Sequence, residues 1–400
     1  MMIGLIGKAN VGKSTFFNAA TELAVACANY PFTTIEPNVG VAYARVKCVC
    51  REFGVQDNPV HSMCVDGNRF IPVKIVDVAG LVPGAHTGKG LGNKFLDDAR
   101  QADAIIHVVD ASGSTDANGR SVPPGAGDPM YDITFVEEEF DLWMAAIVGR
   151  DWAKTARETE SQGQKLEQLL AKRLSGLSIS EPAIAAAIHS TGLGIKKPVA
   201  WTEQDILLFC KTLRARAKPF VIAANKADLP SAEGNIEKIK AAGFQVVPCA
   251  SEAEALLRKA SKKGIIHYLP GDGSFELRPN VTLSPQQQRA LDIVKSLIDR
   301  YGSTGVQEAV NVACFRLLHL VAVYPVEDEF KLSDKNGNVL PDVRLLPAGS
   351  NARDLAGTVH ADLAKGFLYA VDARSKQRIG ADHKLKDGDV IKIVSASSRG

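Results

Sequence analysis

Near its amino terminus the chain reads Gly7-Lys8-Ala9-Asn10-Val11-Gly12-Lys13-Ser14, a match to G-x-x-x-x-G-K-[ST] at every fixed position. No other stretch narrows the fold so far. The apolar run Ile3 to Ile6 reads as an incoming strand, and the run from Ser14 through Leu23 reads as an outgoing helix. Successive amides and the helix amino terminus can then surround an anion. Asn10, Val11, Gly12, Lys13, Ser14 and Thr15 would line the phosphates, with Lys13 bridging the β and γ groups and the Ser14 hydroxyl on Mg²⁺.

Such a loop does not separate a kinase, an ATPase and a GTPase, so the discriminating residues lie downstream. Asn225-Lys226-Ala227-Asp228 follows the apolar strand Pro219 to Ala224, where a base-reading loop belongs. The Asp228 carboxylate can accept hydrogen bonds from guanine N1 and N2, a donor pair that adenine lacks. At about 1.5–3 kcal/mol for each bond to a charged group, adenine is rejected by at least tenfold. Between the two motifs, Val76-Asp77-Val78-Ala79-Gly80 follows the strand Pro72 to Val76. Asp77 would hold the Mg²⁺ shell from the strand's carboxyl end, and the Gly80 amide would sense the γ-phosphate. In Asn29-Tyr30-Pro31-Phe32-Thr33-Thr34, one threonine can close on Mg²⁺ only while the γ-phosphate is present.

Composition bounds the rest. Four hundred residues with 46% hydrophobic content describe a globular chain of two to four domains. The 47 basic and 45 acidic residues sum to +2, so bulk charge selects no nucleic-acid partner. No apolar run reaches the ~18 residues of a membrane span. Met1 and Met2 lead straight into the first strand without a basic segment, and seven cysteines are thinly spread. Both suit a cytoplasmic protein in a reducing compartment.

The chain resembles the Obg family of TRAFAC-class GTPases, in the archaeal form of its YchF (Obg-like ATPase) subfamily. The resemblance is carried by Gly4 to Ser14, by Asn29 to Asn38, and by Asp77-Val78-Ala79-Gly80-Leu81-Val82-Pro83-Gly84-Ala85-His86, continuing through Gly90 to Leu96. It extends nearly end to end. It implies an α/β fold: a P-loop G domain on a mostly parallel sheet, an inserted helical arm and a carboxyl-terminal β-grasp TGS module. It also assigns the Mg²⁺ threonine to Thr34, and a ribosomal or other RNA-protein partner to a monomeric GTPase. Many YchF relatives alter the base-reading motif and prefer ATP, whereas this chain keeps Asn225, Lys226 and Asp228, so GTP is expected. The base-closing segment, usually Ser-Ala-Glu, here reads Cys249-Ala250-Ser251-Glu252, with Ala250 and Ser251 as its guanine-side residues. Leu81 stands where classical switch GTPases place the glutamine that orients water, which implies slow turnover. Asn10 matches the asparagine that supports a bound K⁺ in related GTPases, a loop-stabilising hydrogen bond being the alternative. His86 is the second candidate for reaching the water, a solvated loop histidine being the alternative.

The strands Ala104 to Asp110 and Pro219 to Ala224 should be sheet neighbours although more than a hundred residues separate them, so something is inserted. The insert starts loosely, then reads as helix through 135–148, 154–175 and 203–217. It carries 13 basic and 14 acidic residues, which describes a helical arm rather than an electrostatic hook. The expected divisions are a split G domain at 1–110 and 219–255, the insert at 111–218, bridging helices at 256–318 and the TGS module at 319–400. Within that module, Arg374, Lys376, Arg378, Lys384 and Lys386, with His383 when protonated, form either a phosphate-binding segment or a solvated face. Cys48, Cys50, His61 and Cys64 offer four ligands for zinc, but Cys-x-Cys is tight for one tetrahedral site and half-buried thiols on a strand account for the first two without metal.

Overall fold

The structure, a computed structural model, describes residues 1–22, 38–78, 100–161, 163–177 and 179–396. They fall into two compact units. The first holds the described parts of 1–22, 38–40 and 74–309, and the second holds 41–73 and 310–396.

The first unit is built on parallel strands in the order β4-β1-β5-β6-β7, comprising β1 (Met2–Ile6), β4 (Asn68–Asp77), β5 (Ala104–Asp110), β6 (Phe220–Asn225) and β7 (Val246–Pro248). β5 and β6 pair in parallel from Ile105↔Phe220 to Asp110↔Asn225, as expected. Every residue of β5 is buried, because both faces of a parallel sheet are covered. The insert supplies part of that cover. The helix Pro129–Gly149 begins at Asp128, whose side chain accepts from the Met130 amide, and Glu203–Ala217 begins with a Thr202/Asp205 capping box. Phe140, Met144, Phe209 and Leu213 of these helices share one core with Ile6, Val76 and Ile105 of the sheet. Arg214 is buried between the two helices, 2.6 Å from Asp141 and 3.0 Å from Glu137.

The insert departs from expectation in three places. Its opening is not loose: residues 111–128 form a hydrogen-bonded loop, with Val122 N to Ser114 O at 2.9 Å, Gly125 N to Ser112 O at 2.8 Å and Gly127 N to Gly113 O at 2.8 Å. The stretch 154–175 is two helices, Trp152–Ser161 and Leu166–Arg173, separated by Gly163 in the left-handed region at φ 64°. A third helix, Glu181–Ser190, carries too much alanine for its apolar face to stand out by period.

The second unit contains most of β2 (Val39–Lys47), β3 (Met63–Val65) and the first part of β4. Its own sheet runs β11-β10-β14-β12-β13, from β10 (Leu320–Val326), β11 (Arg344–Pro347), β12 (Phe367–Asp372), β13 (Arg378–Ile379) and β14 (Val390–Ser395). A pair of short strands in the first unit, β8 (Ile266–His267) and β9 (Glu276–Leu277), completes the set. β10 and β14 are parallel and the other pairs antiparallel. The helix Ala352–Val359, capped by Asn351 and Asp354, packs Leu355 and Ala356 onto Val323, Ala370 and Ile391. This is the β-grasp arrangement. That helix ends at His360, whose backbone is extended and whose side chain accepts from the Asp362 amide to cap a second short helix, Ala361–Lys365. Among the described residues no helix is long and apolar enough to cross a membrane.

Removing Arg214 strands the buried Asp141 carboxylate. Arg214→Met should lower the unfolding free energy by about 3 kcal/mol, and Arg214→Met/Asp141→Leu should recover most of that loss in urea denaturation.

Candidate nucleotide-binding site

The glycine-rich loop leaves the carboxyl end of β1 and enters the helix Lys13–Thr21. Gly12 sits at φ 90°, and a Cβ there would lie 2.3 Å from Asn225 Nδ2, so this glycine is required by a neighbouring side chain as well as by backbone conformation. Asn10 is also left-handed, at φ 64°, and its Nδ2 donates to Gly119 O at 2.8 Å. That is the loop-stabilising bond, and it leaves Oδ1 as the atom a cation would use. Lys13 is ion-paired with Asp77 at the end of β4. The Ser14 side chain, in the first helical turn, is exposed and Thr15 half-buried. An anion-binding helix terminus, a lysine, a hydroxyl and a carboxylate are thus gathered at one end of the sheet, a donor set that suits a magnesium-bound phosphate.

Asn225 ends β6 and is buried. Its Nδ2 donates to Val11 O at 2.8 Å, while its Oδ1 accepts from Ser251 N at 3.0 Å and Ser251 Oγ at 2.9 Å. One carboxamide therefore joins the phosphate loop to the base-closing segment. Ser251 is buried and acts on the site by holding Asn225. The Ala250 amide donates to Thr304 O at 2.9 Å, so it is already engaged. Asp228 is exposed on the loop that follows Asn225.

Lys226, at φ 62°, turns back to Asp110 Oδ2 at 2.9 Å and Ser114 Oγ at 3.0 Å. The buried Asp110 also accepts from Ser112 Oγ at 2.5 Å, Ser114 Oγ at 2.8 Å and Thr115 Oγ1 at 3.0 Å. Burial is the largest single influence on this carboxyl and raises it, yet the hydrogen bonds from Ser112, Lys226 and Ser114 together hold it below the usual carboxylate range. Lys8 reaches the same loop from inside the glycine-rich motif, donating to Asp116 O at 2.7 Å and pairing with Asp132 at 2.7 Å. Burial lifts the Asp132 carboxyl to about 6 against the pull of Lys8. Sequence reasoning passed over Asp110, Lys8 and Asp132. The position of Asp110 at the carboxyl end of a central parallel strand was the available signal. Thr34, Gly80 and His86, together with Leu81, lie outside the described residues.

The basic string of the second unit is largely engaged within the chain. Arg374 is held by Glu52 at 2.6 and 2.8 Å, Lys376 donates to Glu329 O at 2.5 Å and Lys384 to Gly349 O at 2.6 Å. Arg378 stacks over the Tyr369 ring at 4.4 Å.

Residues 2–124 match the family model described as a 50S ribosome-binding GTPase. Residues 223–328 match the G4 motif-containing domain of the YGR210-like Obg-like GTPases, and 336–395 match the TGS domain. An uncharacterised GTP-binding protein of Methanocaldococcus jannaschii is 52% identical over 398 residues, 99% of each chain. The ribosome-binding ATPase YchF of Bacillus subtilis is 28% identical over 424 residues, 97% of each. The crystal structure of a GTP binding protein from Pyrococcus horikoshii has a TM-score of 0.79 at 42% identity, covering 99% of this chain and 100% of that one.

Asn225→Ala orphans the Val11 carbonyl and the Ser251 hydroxyl in a buried place. It should lower the unfolding free energy by about 2–4 kcal/mol, whereas the exposed Asp228→Ala should change it by less than about 0.5 kcal/mol, both read by urea denaturation.

Proposed function

Because the chain belongs to the Obg-like, YchF-type family of GTP-binding proteins, we propose that it is a Mg²⁺-dependent switch that binds guanine nucleotides, hydrolyses GTP slowly and acts on the ribosome. The observation that carries the reading is the Asn225 clamp. It fixes the loop bearing Asp228 to the phosphate loop through Val11, so base and phosphates are read by one rigid frame. In that frame the Asp228 carboxylate accepts from guanine N1 and N2. The amide just beyond Ser251, that of Glu252, takes over the contact to guanine O6, since the Ala250 amide is bonded to Thr304.

Lys13 and Asp77 neutralise each other here, and each has a use when Mg²⁺-nucleotide is bound: Lys13 toward the β and γ phosphates, Asp77 toward the metal, with Ser14 and Thr34 completing its shell. The metal supplies neutralisation of phosphate charge. The Gly80 amide reports the γ-phosphate, and Leu81, lacking a polar group, cannot orient the attacking water, which makes turnover slow. His86 and a K⁺ held through Asn10 are the groups left to assist it.

The ribosomal partner is supported by the Bacillus relative, a ribosome-binding ATPase, and by the TGS match. The engagement of Arg374, Lys376 and Lys384 with the chain's own acceptors argues that docking depends on shape more than on that string. The name of the same relative also favours a second reading, an ATPase. Competition decides between them. GTP should displace a fluorescent guanine nucleotide at least tenfold more effectively than ATP, and Asp228→Ala should abolish the difference while leaving the melting temperature unchanged; stronger ATP binding overturns the assignment of Asp228. Co-sedimentation with ribosomal particles should be several-fold greater with a non-hydrolysable GTP analogue than with GDP. Equal association in both states would identify an RNA-binding scaffold in place of a switch.

A further inference from the structure

The cysteines of the second unit converge in a way their spacing does not suggest. Cys48 follows β2, Cys50 opens the four-residue helix Cys50–Phe53 and Cys64 lies on β3, so the first two are not on a strand. His61 is turned away, its Nδ1 at 2.9 Å from Asp342. In its place Asp57 enters. The ligand atoms of Cys48, Cys50, Asp57 and Cys64 all lie within 4.8 Å of one another.

Two of the separations are close to the edges of a coordination tetrahedron. With zinc–sulfur bonds of about 2.3 Å, two thiolates on one tetrahedral ion stand roughly 3.8 Å apart; Cys50 Sγ and Cys64 Sγ are 3.8 Å apart. A thiolate and a carboxylate oxygen on the same ion stand roughly 3.5 Å apart, against 3.2 Å between Cys48 Sγ and Asp57 Oδ2. We propose that Cys48, Cys50, Asp57 and Cys64 form a structural site for a thiophilic divalent cation, zinc by preference.

The surroundings suit the charge of such a site. Three thiolates and a carboxylate around Zn²⁺ carry a formal −2, and the wholly buried Arg69 sets its guanidinium 2.8 Å from Asp57 Oδ2 and 3.6 Å from Cys48 Sγ. Tyr324 is also fully buried, and its hydroxyl adjoins Cys48 and the Val49 backbone. A metal-bound Cys48 thiolate would accept that proton donor, as outer-shell groups do at metal centres. The cysteines bind as thiolates, and whatever thiol protons remain are released to solvent.

The site also has something to brace. Between β2 and β3 the chain has only one short helix. Yet this connection holds the segment before β11, with Asn58 N on Val339 O at 3.0 Å and Val60 N on Pro341 O at 2.8 Å, joined by Arg69 on Leu340 O at 3.0 Å. A metal tying positions 48, 50, 57 and 64 would fix a stretch that has little core of its own.

The test uses the full chain, reduced and stripped by chelator, titrated with Co²⁺ and then Zn²⁺. The expected result is one equivalent of cobalt with thiolate-to-metal charge-transfer absorption and tetrahedral d–d bands, bleached by one equivalent of zinc. His61→Ala should keep this spectrum, and Cys64→Ser and Cys50→Ser should each weaken metal affinity by at least tenfold. Absence of charge-transfer absorption in the unmutated chain overturns the proposal whatever the variants do. So does an unchanged spectrum and affinity in a folded Cys64→Ser or Cys50→Ser variant.

Discussion

The nucleotide site depends on one buried carboxamide. Asn225 offers a donor and an acceptor in a single plane, and it uses the first on Val11 of the phosphate loop and the second on Ser251. An aspartate would repel the Val11 carbonyl, and a leucine would leave both partners without hydrogen bonds where water does not reach. The clamp also explains the second glycine of the loop motif. At Gly12 the space a side chain would take is filled by the Asn225 amide, so the phosphate-binding conformation and the base-reading loop constrain each other.

A second layer of polar contacts builds the wall beside that clamp. Asp110 gathers hydroxyls from Ser112, Ser114 and Thr115 together with Lys226, and Lys8 bridges to Asp132 at the start of the helix Pro129–Gly149. Buried charges of this kind are costly unless paired and hydrogen-bonded, and here each has its partner. Their effect is to give residues 111–128 a defined path although the segment is rich in glycine and proline.

Much of this was legible in the sequence, for local reasons. β1, β5 and β6 are short apolar runs, the first and last leading into motif residues, and the helices Glu203–Ala217 and Pro285–Tyr301 carry Thr202/Asp205 and Ser284/Gln287 capping boxes. The α/β class, the G domain and the TGS module followed from those runs and from the long motif matches. What failed to show was non-periodic or distant. Gly163, in the left-handed region, divides what reads as one helix over 154–175, and the alanines of Glu181–Ser190 blur the face by which a helix is recognised. Ser251, read as a guanine-side residue, also holds Asn225 through its amide and hydroxyl. Arg173 donates to Val148 O and Arg150 O at 2.6 and 2.5 Å, a tie between distant residues that no local pattern announces.

The sequence by itself determined the glycine-rich loop at the end of β1 and the Asn225-to-Asp228 loop after β6, because each of these is encoded within ten or so consecutive residues whose backbone has little choice. Only the tertiary structure decided which side chains meet. Asp57 rather than His61 joins the three cysteines, Lys8 finds Asp132, and Arg374 is taken by Glu52. Hydrogen bonds and ion pairs form within about 3 Å, and two residues tens or hundreds of positions apart come within that distance only when the intervening elements have packed.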